Sequence, residues 1–172
     1  MEVFIATVRR LSQFCGILSA LTLAAAVLVV CHMVVLRYLL NESTVWQTEF
    51  AVYSIVGATL IGSPYVLLRR GHVNVDLLPL YLPHRARFVL AFVASGLALL
   101  FCGALTYSGV ELWLDAWNGN WKTNSIWALP MWIAYAPIPI GIGLLCLQYV
   151  ADILCLATGR DMPFGLQPGQ RP

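Results

Sequence analysis

The sequence predicts an all-α membrane protein. Its four transmembrane helices form an up-down-up-down bundle, with both termini cytoplasmic and short interfacial helical segments on the periplasmic side. Three observations predict this. Of 172 residues, 60% are hydrophobic and 10% are charged, where a soluble domain carries about 25% charged residues. Four stretches, residues 11–36, 50–68, 88–110 and 123–151, contain no Asp, Glu, Lys or Arg. The ten basic residues divide eight to two between the loops on opposite sides of those stretches.

Each uncharged stretch is long enough to be a span, since about 18 apolar residues suffice. An arginine at mid-bilayer costs about 2.5–3.5 kcal/mol and each Leu or Ile returns only about 0.3–0.6. Uncharged centres therefore insert as ordinary spans. The first run follows Arg9 and Arg10 and contains Ala24, Ala25 and Ala26, a small-residue site of the kind cleaved in signal peptides. It continues to Leu36, past a signal peptide's apolar region of about 7–15 residues, which predicts a retained signal-anchor helix. Leu11-Ser12-Gln13-Phe14 after the arginine pair fits a twin-arginine signal poorly. Residues 38–43 are expected along the outer interface.

The second span, residues 50–68, is preceded by Thr44-Val45-Trp46-Gln47. That pattern predicts a capping box, with Thr44 capping and Gln47 reaching back. The third, residues 88–110, is expected to continue through residues 111–117 out of the bilayer and to end at the turn signal Asn118-Gly119-Asn120. The fourth runs from about 129 to 151. Pro130 suits its first turn, whereas Pro137 and Pro139 fall inside it and deprive the carbonyls of Ile133 and Tyr135 of their usual donors. The spans make one domain, residues 1–155. Residues 156–172, rich in Pro, Gly and Gln, are expected to be a disordered cytoplasmic tail.

Arg9, Arg10, Arg69, Arg70, Arg85, Arg87, Arg160 and Arg171 lie on one side and Arg37 and Lys122 on the other. By the positive-inside rule the first side is cytoplasmic. All six tryptophans, Trp46, Trp113, Trp117, Trp121, Trp127 and Trp132, lie in or beside the two outer loops. Indole favours the headgroup layer, so anchoring is the leading explanation and docking of an outer partner the sharper one. Small residues recur at helical spacing: Cys15, Ser19, Thr22 and Ala26; Ser54, Ala58 and Gly62; Ala91, Ser95, Ala98 and Cys102. Such stripes let helices approach in lipid, within the bundle or against a larger partner.

Candidate chemistry is thin. The five cysteines, Cys15, Cys31, Cys102, Cys146 and Cys155, form no Cys-x-x-Cys pair and are expected as small apolar packers. His32 is the one histidine inside a span. With no partner on another helix it is expected to be packed or hydrogen-bonded rather than a haem ligand. His72, Asp76 and His84 could be imagined around a metal, but their spacing fits no standard zinc pattern and Arg69, Arg70 and Arg85 would repel a cation. A short extended or reentrant piece at Val73, Val75 and Leu77 is favoured there, with His72 and Asp76 satisfying backbone groups. No cofactor and no nucleic-acid partner is expected. Pathways for ions or acids carry ionisable residues, broken helices or repeats. These spans offer only Gln148, His32 and one proline-kinked helix, which points to an accessory subunit in the lipid bilayer.

The chain resembles the small membrane subunit (Q-type) of a tripartite ATP-independent periplasmic (TRAP) transporter. Val35-Leu36-Arg37-Tyr38, Asn41 and Trp46-Gln47-Thr48-Glu49 carry the likeness first, followed by Gly57 and Gly62. Then come Gly71-His72-Val73-Asn74-Val75-Asp76, Pro83, Arg87, Pro130-Met131-Trp132, Tyr135, Pro139 and Gly141. Thr48 stands where the family often has a second acidic residue, leaving Glu49 as the single carboxylate. The resemblance implies a non-enzymatic subunit of the bacterial inner membrane that widens the scaffold of a large membrane subunit. The large subunit carries the substrate and sodium sites, and a periplasmic solute-binding protein delivers an organic acid. It marks Arg37, Trp46, Glu49, His72, Asp76, Pro130, Trp132 and Tyr135 as structural or interface candidates. Arg37 and Glu49 both lie near the outer boundary of the bilayer on either side of a short loop, and are expected to pair. Two other classes remain open from the residues alone: a haem- or quinone-binding anchor of an oxidoreductase, and a stand-alone four-helix channel.

The orientation is directly testable. In a cysteine-free variant, an impermeant thiol reagent applied to intact cells should label Gly119→Cys and not Gly71→Cys. Labelling at position 71 alone would invert the topology.

Overall fold

A computed structural model of the chain describes residues 2–69, 84–125 and 127–157. Lipid offers the backbone no hydrogen-bond partner, so a spanning segment must satisfy its own N–H and C=O groups as helix. The chain does so in α1 (Glu2–Leu39), α2 (Val45–Leu68), α3 (His84–Asn118), α4 (Met131–Tyr135) and α5 (Pro137–Ala157). Among the described residues, four stretches are long and apolar enough to cross a membrane: Val3–Leu39, Val45–Leu68, Phe92–Asn118 and Met131–Cys155, the last joining α4 to α5. The all-α, four-span reading holds. The stretch 70–83, with His72 and Asp76, and the tail 158–172 lie outside the described residues.

α1 has 38 residues, about 57 Å at 1.5 Å per residue, and begins well before residue 11. A continuous seam explains the extension. Ile5, Val8, Ser12, Cys15 and Ala26 are buried, and Ser19, Thr22, Val29, Met33 and Leu36 are half-buried. Together they recur at alternating steps of three and four, the register of a left-handed helix–helix contact. Phe14, Ile17, Leu21 and Leu28 lie off the seam and are exposed. His32 also falls off it and is exposed, which corrects the expectation of a packed histidine. α1 ends without glycine: Asn41 takes a left-handed φ of 51°. Asparagine tolerates that conformation, and the turn lets the N–H groups of Leu40 and Glu42 both donate to Leu36 O, at 3.2 and 3.3 Å.

α2 is the pivot. It packs along α1 and against α5, while α3 packs on α5 and α1 reaches α5 more sparingly. The registers fix the directions. Gly16 lies against the Tyr65 ring and Gly62 against Ser19, so α1 and α2 are antiparallel. Gly57 meets Pro137 and Gly141 meets Leu60, so α2 and the fourth span are parallel. Gly109 meets Ile138, and Thr106 meets Gly143, so α3 runs against the fourth span. The result is up-down-up-down. All three small-residue stripes face inward: each member with a described side chain is buried or half-buried. They serve this chain's own packing.

Two contacts show how close the approach is. Ser19 Oγ donates to Ala58 O at 2.6 Å. At the second, Pro64 interrupts α2 from within. Its missing N–H leaves Leu60 O without the usual helical donor; Ser63 Oγ supplies one at 2.8 Å. Leu60 O also lies where a Cβ on residue 141 would have to be, so only glycine fits. At the end of the bundle near the termini, a polar clasp joins α1 to α5. Ser12 Oγ donates to Gln148 Oε1 at 2.9 Å, and Gln148 Nε2 donates to Asp152 Oδ1 at 3.0 Å. Gln148 is fully buried. Interhelical bonds of this kind contribute about 0.6–2 kcal/mol each in a membrane.

Three local expectations are corrected. Thr44 occupies the N-cap of α2, but its side chain makes no capping bond. Gln47 is turned into the bundle, 2% exposed, instead of reaching back. Pro130 is the N-cap residue of α4, extended at φ −63° and ψ 122°, rather than part of its first turn. Pro137 does not lie within a helix: the fourth span is interrupted at Ala136, and Pro137 opens α5, where a missing N–H costs nothing.

The Leu60–Gly141 contact gives a sharp expectation. Gly141→Ala forces two backbones apart and should destabilise the chain by about 1–3 kcal/mol. Gly103→Ala, with nothing within 4 Å of the new Cβ, should be neutral within about 0.5 kcal/mol. Thermal unfolding of the purified chain in detergent checks both; equal effects would refute the contact.

Candidate functional site

The chemistry-bearing side chains gather at the end of the bundle opposite the termini, where α1 and α3 finish and α2 and α4 begin. α3 runs through Trp113 and Trp117 to Asn118, then reverses. Asn120 takes φ 51°, and the N–H groups of Gly119 and Trp121 bond back to Asp115 O and Ala116 O at 2.8 and 3.2 Å. A ledge follows, closed by an antiparallel bridge between Lys122 and Pro130. Thr123 N donates to Leu129 O at 3.0 Å and Met131 N to Trp121 O at 2.9 Å. Leu129 N in turn donates to Thr123 Oγ1 at 3.0 Å. Ala128 is held at φ 46°, a left-handed conformation that costs about 1–2 kcal/mol for a residue with a Cβ. The ledge sustains that strain through these bonds.

Tryptophans knit the ledge to the helices. Trp117 stands edge-on to Trp132 with centroids 4.8 Å apart, and Trp113 lies 5.8 Å from Trp117. Trp113 Nε1 donates to Trp132 O at 3.1 Å, tying α3 to α4. Trp46, at the start of α2, tilts against Trp127 of the ledge at 6.3 Å. Trp113 and Trp132 are half-buried and belong to the fold. Trp46, Trp117, Trp121 and Trp127 are 38–52% exposed and present their rings outward.

The predicted site residues separate into groups. Trp132 joins the α3–α4 cluster and Trp46 the ledge. Glu49 lies one turn before Tyr53, whose electrostatic surroundings include Glu49 and Tyr135 of the fourth span. Arg37 stays exposed in the last turn of α1. The expected Arg37–Glu49 pair does not form: Glu49 Oε2 is shielded from solvent and has no hydrogen-bond partner. Geometry explains this. Glu49 is two residues from Gln47, which faces α1, and so points to the other side of α2. Gln47 Oε1 is likewise shielded and unpartnered.

Sequence reasoning missed Gln47, Tyr53 and the Ser12–Gln148 clasp. The signal available for the clasp was that Gln148 is the one amide within the fourth span. None of the five cysteines is in a disulfide; Cys15, Cys102 and Cys155 are buried and Cys31 is exposed. Among the described residues no three His, Cys, Asp or Glu side chains are grouped to hold a metal.

Residues 26–159 match the family described as tripartite ATP-independent periplasmic transporters, DctQ component. The chain is also similar to the C4-dicarboxylate TRAP transporter small permease protein DctQ of Vibrio cholerae, 28% identical over 83% of this chain and 71% of that protein. The protein of the same name from Rhodobacter capsulatus is 28% identical over 69% of this chain. The chain spans about half of the Rhodobacter protein's length, 52%. With four spans, inward small-residue seams and this match across most of its length, the chain belongs to the DctQ component family of TRAP transporters.

Proposed function

We propose that the chain is the small permease subunit of a TRAP transporter in a bacterial inner membrane. It packs on and stabilises a large membrane subunit during sodium-coupled uptake of an organic acid handed over by a periplasmic solute-binding protein. The family match over residues 26–159 carries the reading. The physical chemistry supports it. The four uncharged stretches supply no Asp, Glu, Lys or Arg, whereas a path for an acid and its coupling ions carries such residues. The conducting route therefore belongs to a partner. The relatives' names point to a C4-dicarboxylate as the solute. The tryptophan end faces the periplasm in this orientation, with Arg37 and Lys122 as its sparse basic residues.

Reconstitution tests the role. Proteoliposomes holding this chain alone should take up no labelled succinate. With the large subunit and the binding protein encoded beside it, uptake should appear and depend on a sodium gradient. An unchanged rate when this chain is omitted, or uptake by this chain alone, would contradict the proposal.

A further inference from the structure

The end of the bundle near the termini carries a surplus of positive charge. Eight arginines lie on that side of the spans, against Glu2, Asp76, Asp152 and Asp161. One of the eight is braced. Arg69 directly follows the apolar stretch Val45–Leu68, so its backbone sits where the hydrocarbon of that leaflet gives way to headgroups. Its N–H ends α2 by donating to Tyr65 O at 3.0 Å. Its side chain turns back along the helix: Nε donates to Tyr65 Oη at 3.1 Å. The guanidinium carbon stands 5.6 Å from the centre of the Tyr65 ring, within reach of a cation–π attraction. The ring itself lies against Gly16 of α1, where a side chain would collide with it. Arg69 is exposed, yet it is drawn toward the bilayer instead of extending into water.

The brace leaves a defined set of donors. Among the described residues the Arg69 side chain bonds only Tyr65 Oη, through Nε, so the two Nη groups form the end of the planar fork. That edge matches two oxygens of one anion. Tyr65 Oη, having accepted from Nε, keeps its own proton to donate. Because the guanidinium is already positioned, holding an anion costs little further rotamer freedom. Arg9 is exposed on α1. It lies two turns before Gly16, on the face that meets Tyr65, and antiparallel packing carries it toward the end of α2, where it adds positive charge. In a membrane the anion at this depth is the phosphodiester of a phospholipid.

From this charge complementarity we infer that Arg69 and Tyr65 bind the phosphate of an anionic phospholipid. The two Nη groups of Arg69 bond the phosphate oxygens, and the surrounding arginines favour a lipid of net negative charge over a zwitterionic one. The bound lipid ties the packed ends of α1 and α2 to the leaflet through the Tyr65 ring.

Native mass spectrometry of the full chain in detergent tests the site, with phosphatidylglycerol or phosphatidylcholine of the same acyl chains added. Phosphatidylglycerol should be retained about fivefold better and should raise the melting temperature. Arg69→Gln should lower its retention about tenfold. Tyr65→Phe keeps every charge and the ring but removes the hydroxyl, and should lower retention about threefold. Arg37→Gln, at the opposite end, should leave it unchanged. Equal retention of the two lipids, or full retention with Arg69→Gln, would overturn the inference. Full retention with Tyr65→Phe would overturn it too, by reducing the attraction to net charge alone. Inorganic phosphate at matched ionic strength should leave the melting temperature where it is; a rise equal to that with phosphatidylglycerol would make the ligand a free phosphate and sink the lipid assignment. If the complex with the large subunit holds no phosphatidylglycerol while Arg69→Gln lowers its recovery, the occupant is a carboxylate of that partner and the assignment falls as well.

Discussion

The fold depends on one constraint: helices in lipid gain little from hiding apolar surface, so they must touch closely to hold together. Close contact needs small side chains and leaves no room for unsatisfied polar groups. The α1–α2 and α2–α5 interfaces meet both demands. Ser19 reaches the Ala58 carbonyl, and the Leu60 carbonyl, stripped of its helical donor by Pro64, takes a bond from Ser63 and lies against Gly141. One proline, one serine and one glycine on two helices thus form a single unit. A side chain in place of the glycine brings a collision, and loss of the serine hydroxyl leaves the carbonyl without its donor.

The same logic explains the two ends of the bundle. Near the termini, Ser12, Gln148 and Asp152 satisfy each other across α1 and α5 and fix the register of two helices that otherwise touch sparingly. At the opposite end the fourth span breaks at Ala136, and the exposed backbone is managed by indoles. Trp132 O accepts both the Ala136 N–H and Trp113 Nε1. The tryptophans first proposed as anchors therefore also work inside the fold, and the outward rings are a subset. Glu49 and Gln47 stand apart because each keeps a shielded oxygen without a donor.

Most of the architecture was legible in the sequence, because charge-free runs are a property of the chain alone. The spans, the inward small-residue stripes and the turn at Asn118-Gly119-Asn120 all follow from local pattern. What escaped was whatever depends on which face of a helix looks where. Arg37 and Glu49 share a depth and a short connection, but Glu49 lies on the side of α2 away from α1. Gln47 fits a capping box in sequence, yet the α1 seam draws it inward. His32 is one position off a seam whose 3–4 rhythm becomes visible only when Ile5 and Val8 are seen to be buried. The loop phrase around His72 and Asp76, prominent in sequence, lies outside the described residues.

The most direct test of this architecture is a disulfide between α1 and α2. A Cβ at position 62 would stand 3.1 Å from that of Ser19, near the separation of about 3.5–4.5 Å found in disulfides. In a variant without the five native cysteines, Ser19→Cys with Gly62→Cys should cross-link rapidly in membranes under a mild oxidant. Ser19→Cys with Gly103→Cys should not, because α3 packs on the fourth span and not on α1. Cross-linking of the second pair in preference to the first would contradict a bundle built around α2.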